Sequence, residues 1–143
     1  MKQVLLFLTF LISIQYSQAQ YFSGGTDPSS LKWRTIETVH YKIIFPESFE
    51  NQAQFLANKM EYALSLLAND FNISPKKIPL IIHTQTITPN AFVAWAPKRM
   101  EFFTTPGQDQ YAQDWFSQLA LHENKHYTQF ELLYHNSPKI LKL

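Results

Sequence analysis

Near the carboxyl end of the chain, residues 119–127 read LALHENKHY. Its two histidines, His122 and His126, are four positions apart, so on a helix they share one face, one turn apart. Two imidazoles placed in this way can bind one Zn²⁺ through nitrogen and leave positions for another ligand and a water. Glu123 follows the first histidine, where its carboxylate can take a proton from that water. The segment therefore predicts a helix with a zinc site and Glu123 as general base.

The phase of this helix predicts which way the two histidines face. At about 100° per residue, both fall on one stripe with apolar side chains, and Asn124, Thr128 and Glu131 fall on the other side. The stripe consists of Trp115, Leu119, His122, His126, Phe130 and Leu133. We therefore expect the histidine pair to face inward, into a packed cleft of low dielectric. The alternative is a pair of core histidines that are satisfied by hydrogen bonds and bind no metal.

The third zinc ligand is missing from the pattern, although a catalytic zinc usually has three protein ligands. Glu131 lies about half a turn around the helix from His122, and His135 is also on the far side. A metzincin has its third histidine six residues after the second, where this chain has Leu132, and no glycine follows His126. The remaining pattern is that of a gluzincin, in which a glutamate from a later helix completes the site. Glu131 is the only acid after the motif, so we expect the domain to be incomplete at its carboxyl end.

Upstream of the motif, the apolar pattern predicts a strand, a helix and a second strand. Residues 33–45 include a strand-like alternation, which Pro46 ends. The residues on one face of this strand are Val39, Tyr41, Ile43 and Phe45. Ser48 is a suitable N-cap for a helix over residues 49–71. The apolar stripe of that helix is Leu56, Met60, Ala63, Leu67 and Phe71. Residues 78–84 then predict a short strand in the middle of a sheet.

Residues 90–105 predict a hairpin. Its arms are residues 91–95 and 100–104, and the turn between them places Lys98 and Arg99 in solvent. The hairpin contributes an aromatic cluster that we expect to pack in the core, with part of it available to line a substrate cleft. The members of this cluster are Phe92, Trp95, Phe102 and Phe103.

A long helix from about residue 109 to residue 134 follows and carries the motif. The order strand, helix, strand, hairpin, helix is typical of an α+β domain with a mixed sheet backed by helices. His40 and His83 lie in predicted strands, and we interpret them as structural or exposed. The sequence has no Gly-rich phosphate loop and no G-x-S-x-G motif.

Composition narrows the classes of function. The chain has 143 residues, of which 45% are hydrophobic, which suits one small domain with a core. Its formal net charge is +1, so no basic excess favours binding to nucleic acid or to an anionic membrane surface. Cysteine is absent, which excludes disulfides, thiolate catalysis and a cysteine-type zinc site.

Residues 1–19 predict a signal peptide. Lys2 supplies the positive charge, Val4–Ile14 is an apolar run too short to span a bilayer, and Ser17–Ala19 is a small-residue cleavage site. Cleavage there would leave Gln20 as the first residue. The alternatives are a buried N-terminal helix or a membrane anchor. We expect the mature chain to be exported to the periplasm, cell envelope or extracellular space, without a stable membrane span.

Several segments besides the motif carry a resemblance to a known family. They are Trp33 with residues 38–45, and residues 78–83, 90–102, 106–109 and 114–123. Together with H-E-x-x-H, they resemble the N-terminal part of exported gluzincin-like zinc metallopeptidases of Bacteroidetes-type bacteria. In that family a short zincin domain often precedes a β-propeller with TolB-like or WD40-like repeats. Lys125 stands where the family often has arginine.

The resemblance implies a zincin-like metallopeptidase domain over residues 20–143, with zinc bound by His122 and His126 and with Glu123 as general base. It also implies that one arm of the hairpin lies at the sheet edge and holds an extended peptide substrate. The expected function is that of an exported zinc metallopeptidase, or its N-terminal fragment, acting on a peptide or protein. The alternative is a non-catalytic exported module with a zincin-like fold, serving in interactions or left by a truncated gene.

Overall fold

A computed structural model of the protein describes residues 27–108 and 113–137. The predicted signal peptide at residues 1–19 lies outside the described residues, as do residues 109–112 at the start of the predicted last helix and residues 138–143. The described residues form an α+β fold in which a five-stranded mixed sheet packs against two helices. This coarse architecture confirms the class that the order of elements predicts.

The sheet has parallel strands at its centre and an antiparallel strand at each edge. The strands are β1 Trp33–Glu37, β2 Tyr41–Pro46, β3 Ile78–His83, β4 Ala91–Trp95 and β5 Lys98–Phe103. The helices are α1 Glu50–Phe71 and α2 Trp115–Asn136. The strand order is β1-β2-β3-β5-β4, with β2, β3 and β5 parallel to one another. β1 and β4 run antiparallel to their neighbours, and β3 is central as predicted.

The segment predicted as one strand over residues 33–45 forms two strands instead. β1 and β2 pair as an antiparallel hairpin, and the Thr38 hydroxyl accepts a hydrogen bond of 3.1 Å from the Tyr41 backbone N–H at the turn. Tyr41 and Phe45 are buried as the alternation predicts, together with Ile43. Val39 was expected on the same face, but it lies in the turn and is 75% exposed. The alternation of apolar residues alone does not reveal the turn that separates β1 from β2.

The buried stripe of α1 is largely the predicted one, because Leu56, Met60 and Ala63 are all buried. The predicted cap at Ser48 is wrong. A short 3-10 turn over Glu47–Phe49 occupies that position, and α1 then begins without a side-chain cap. The helix ends at Asn72, whose left-handed conformation (φ 49°) is one that asparagine tolerates well.

The hairpin of β4 and β5 turns more tightly than predicted. Only Ala96 and Pro97 connect the strands, so Lys98 and Arg99 belong to β5 rather than to a solvated turn. Lys98 forms an ion pair with Glu131 of α2, and Arg99 forms one with a neighbouring glutamate of its own strand. Both cations therefore have structural partners, which the sequence interpretation did not foresee.

The start of α2 is set by Asp114. Its carboxylate accepts hydrogen bonds from the Ser117 backbone N–H at 3.1 Å and from the Ser117 hydroxyl at 3.0 Å, as an N-cap does. Lys59 of α1 lies 3.4 Å from the same carboxylate, which ties the start of α2 to α1. The helix thus begins at Trp115, later than the predicted residue 109, because the cap fixes its first turn.

The core joins both helices to the sheet. Phe102 and Phe103 of the aromatic cluster are buried, whereas Trp95 is about half exposed and packs against Phe130 and Tyr134. His83 is buried, with its two ring nitrogens 2.5 Å from Asp27 and 3.0 Å from Glu101. His40 is paired with Glu61 at 2.7 Å. Both histidines are structural.

Within residues 27–108 and 113–137, no helix combines the length and the apolar character that crossing a bilayer requires.

Candidate active site

Helix α2 brings the two motif histidines together. Nε2 of His122 and Nε2 of His126 are 3.1 Å apart, and their rings meet edge to face at 82°. Two zinc–nitrogen bonds of about 2.0–2.1 Å at a tetrahedral angle span about 3.3 Å, so this separation suits one shared zinc ion. The spacing of four residues on a helix is the direct cause of the convergence. The predicted pairing of the two rings is therefore present in the fold.

The inward orientation predicted for the histidine pair is wrong. His122 and His126 lie on the exposed side of α2, and Asn124 and Thr128, which were expected outside, are completely buried. The polar atoms of the buried residues have partners, because Asn124 bonds to two other elements and the Thr128 hydroxyl donates to the Lys125 carbonyl at 2.9 Å. Satisfied polar groups can be buried at little cost, so polarity alone did not reveal the face.

Among the buried polar residues of α2, Glu123 is the one with an oxygen that has no hydrogen-bond partner in the described part of the chain. Its side chain is buried, with the residue only 3% exposed, and Oε2 has no hydrogen-bond partner among the described residues. Burial raises the pKa of Glu123 to about 7. A carboxyl group with such a pKa exchanges its proton near neutral pH, as a general base requires. An unsatisfied buried polar atom in a folded protein calls for an explanation, and a functional role is one.

A cavity of about 550 Å³ opens beside the motif. His122 and Glu123 line one side of it, and Ala91 at the start of β4 lines another. The Trp115 indole forms a further wall and is fixed by a hydrogen bond of 3.1 Å from its Nε1 to the Phe103 carbonyl. The remaining lining residues are Pro89, Asn90, Gln113, Gln118, Leu119, Leu121 and Lys125. The site is therefore accessible from solvent and lies next to an edge strand.

The described residues provide two of the expected metal ligands. Within residues 27–108 and 113–137, no group of three or more His, Asp or Glu side chains is arranged to hold a metal ion. Glu131 is paired with Lys98 on β5, in agreement with its predicted exclusion from the site.

The hydrogen bond from the Tyr41 hydroxyl to Asn124, a residue of the motif itself, was not predicted from the sequence. The alternation predicts Tyr41 on the buried face of a strand, and the helix phase predicts Asn124 on the side away from the histidines, but the two side chains meet in the core. A second stripe of α2 does carry a signal, because Ala120, Asn124 and Tyr127 follow helical spacing. A small residue and an aromatic residue on either side of Asn124 are consistent with burial.

No model of a protein family, no curated protein and no solved structure matches this chain. The arrangement of His122, Glu123 and His126 is therefore the basis for assigning a function.

Proposed function

We propose that the protein is an exported zinc-dependent metallopeptidase of the gluzincin kind, or the N-terminal part of one. In this proposal His122 and His126 bind the metal and Glu123 is the general base. The observation that carries it is the 3.1 Å approach of the two imidazole nitrogens next to a buried glutamate with an unpartnered oxygen. Export rests on the signal peptide expected at residues 1–19.

The chemistry of the donors fits zinc. Neutral imidazole nitrogens are common zinc ligands, and the exposed side of α2 leaves room for a further ligand and a substrate. When bound, zinc would lower the pKa of a coordinated water and polarise the scissile carbonyl.

Glu123 would move the proton. Its carboxylate would accept a proton from the attacking water and pass it to the amine that leaves. The buried position of the side chain supports this role, because a raised pKa gives the carboxylate a proton affinity suited to neutral pH. The orientation of α2 also supports this role, because it places Glu123 in the wall of the same cavity as His122.

The edge strand β4 would hold the substrate. Its outer side pairs with no other strand among the described residues, so outward backbone groups other than the Ala91 N–H, which donates to Asn90 Oδ1 at 2.9 Å, would be available to an extended peptide. Ala91 of β4 lines the cavity together with His122, which would bring a bound peptide bond close to the motif. An antiparallel edge strand beside the H-E-x-x-H helix is also consistent with a zincin-like arrangement.

A second candidate is a non-catalytic exported module with this fold. The observation that favours it is the presence of only two motif ligands within residues 27–108 and 113–137. Such a module would serve in protein interactions and would not hydrolyse peptides.

Metal analysis combined with one isosteric variant separates the two candidates. Protein purified without chelator is expected to contain one zinc per chain, and His122→Ala or His126→Ala should lose it. Glu123→Gln should keep the zinc and lose about 10²- to 10⁴-fold in peptide hydrolysis, the range for general acid–base catalysis. His135→Ala, on the same helix but outside the site, is the matched control and should change neither.

The outcomes differ for the two candidates. Protein that contains no zinc and takes none up on dialysis contradicts the metallopeptidase. Stoichiometric zinc without hydrolysis in the unmodified chain favours the non-catalytic module.

A further inference from the structure

We propose that Tyr41 and Asn124 are positioning residues whose hydrogen bonds set the rotation of α2, so that the histidine pair faces outward beside Glu123. The inference rests on the proposed function, because it concerns the placement of the proposed metal ligands. Neither residue touches the site cavity. Their contribution is made from inside the core.

Asn124 connects three elements of the fold. It lies in the middle of α2, and its Oδ1 accepts a hydrogen bond from the hydroxyl of Tyr41 on β2. Its Nδ2 donates to the backbone carbonyl of Met60 on α1 at 3.2 Å. Tyr41, Met60 and Asn124 are all completely buried. The side-chain amide of Asn124 is therefore held at both its acceptor and its donor.

These hydrogen bonds select between two possible faces of α2. The stripe that contains the two histidines also carries large apolar side chains, and one of them, Leu133, is 64% exposed in the fold. The observed buried face consists of Leu119, Ala120, Glu123, Asn124, Tyr127 and Thr128. The two faces share Leu119 and are centred roughly 115° apart around the helix at 100° per residue. Burial of apolar side chains alone therefore does not explain the observed rotation.

Rotation toward the other face would leave buried polar groups without partners. The Tyr41 hydroxyl would lose its partner in the core, and the Met60 carbonyl would lose the hydrogen bond from Asn124, both where water cannot replace them, which is costly. A single buried asparagine is known to fix the register of packed helices in this way. Thr128 cannot contribute, because its hydroxyl is already satisfied within its own helix.

The site depends on this rotation. Glu123 immediately precedes Asn124, so fixing Asn124 in the core holds the glutamate at the boundary between core and cavity. The same rotation keeps His122 and His126 accessible. If α2 were rotated by about a third of a turn, so that the histidine stripe faced the core, both imidazoles would be buried and Glu123 would leave its present position.

The test uses Tyr41→Phe, Asn124→Leu and the double variant that combines them. Each single variant leaves a polar group unpaired and should unfold at lower urea concentration. The double variant removes both polar side-chain groups and should regain most of that stability. Its Kd for zinc should nevertheless rise about tenfold or more, the scale seen when supporting contacts of a metal site are lost. Thr128→Val, a buried polar residue on the same face, is the control and should keep the Kd.

A second measurement needs no metal. In the metal-free chain, a soluble paramagnetic agent should broaden the ring signals of His122 and His126 strongly and the Glu123 methylene signals weakly. This contrast should shrink in the double variant and persist in Thr128→Val. If the double variant does not fold, Tyr41→Phe alone should show a smaller change in the same direction.

The outcomes separate this inference from the proposed function. A double variant with unchanged zinc Kd and unchanged contrast would overturn the positioning role. If the unmodified chain binds no zinc but the contrast is lost in the double variant, the positioning role stands and the metallopeptidase fails. If zinc is not bound and the contrast also persists, both fail.

Discussion

The two helices have the same length, 22 residues each, but they bury different kinds of surface. The buried residues of α1 are all apolar, namely Ala53, Leu56, Ala57, Met60, Ala63 and Leu64. Half of the buried residues of α2 are polar or charged, namely Glu123, Asn124 and Thr128. The buried face of α1 therefore packs by apolar contacts, and its hydrogen bonds with His40 involve the partly exposed Glu61, whereas the buried face of α2 also forms hydrogen bonds.

The difference between the two helices shows how buried hydrogen bonds can orient a helix that carries candidate site residues. An apolar face gives stability but tolerates small rotations, because it has no directional contacts. A hydrogen bond has a preferred direction and distance, so a buried asparagine restricts rotation. α2, which carries the candidate site, has such a side-chain restraint on its buried face, whereas all the buried side chains of α1 are apolar.

The largest expected effect on the free energy of unfolding comes from removing a buried apolar side chain of α1, in comparison with an exposed apolar side chain of α2. Leu56→Ala should lower the free energy of unfolding by about 2–5 kcal/mol, since it removes a completely buried side chain. Leu121→Ala should change it by about 0.5 kcal/mol or less, because Leu121 is 45% exposed. Urea unfolding followed by circular dichroism measures both. Equal losses would mean that both helices depend on the same kind of contact.

An intermediate effect of opposite sign is expected at Glu123. In the metal-free protein, Glu123→Met should raise the free energy of unfolding by about 1–3 kcal/mol, because it removes a buried oxygen without a partner. Glu123→Gln keeps a polar group there and should give a smaller gain. Thermal and urea unfolding in the presence of chelator test this. A loss of stability in the methionine variant would show that the carboxylate has a partner, and the contrast between the helices would weaken.

The smallest effect concerns the solvent side of α1. Burial of Glu61 alone would raise its pKa, but hydrogen bonds from His40 and Thr38 outweigh it and hold the pKa below the ordinary value of 4.5. Because the folded pKa is depressed, the stabilisation is present above pH 4.5 and is lost as the pH falls through the folded pKa. Glu61→Gln should thus be less stable by under about 1 kcal/mol at pH 6, and the difference should vanish in acid. A difference that is constant from about pH 2 to 6 would contradict this reading.

The parts of the fold that could be predicted from the sequence are those in which the buried residues are also the apolar ones. The central strand β3 and the stripe of α1 were predicted for that reason, with Leu56 and Met60 at the centre of the core. The pairing of His122 with His126 was predicted equally well, because it follows from helical spacing alone.

The parts that failed depend on contacts that no local period contains. The rotation of α2 is set by a hydrogen bond between Tyr41 and Asn124, which are 83 positions apart in the sequence. The buried position of Glu123 follows from that rotation. The start of α2 is a different case, because Asp114 three residues before Ser117 is a local capping signal that could have been used.

The open side of β4 has a consequence for how copies of the chain behave together. β1, at the opposite edge, carries Arg34 and Glu37, and charges of this kind discourage pairing with another sheet. β4 has the sequence AFVAW, without a charge, so an extended segment of a second molecule could add to it as easily as a substrate. Pro89 and Pro97 bracket the strand and limit such an addition to about five residues. The edge that is proposed to bind a peptide would therefore also favour association between copies of the chain as their concentration rises.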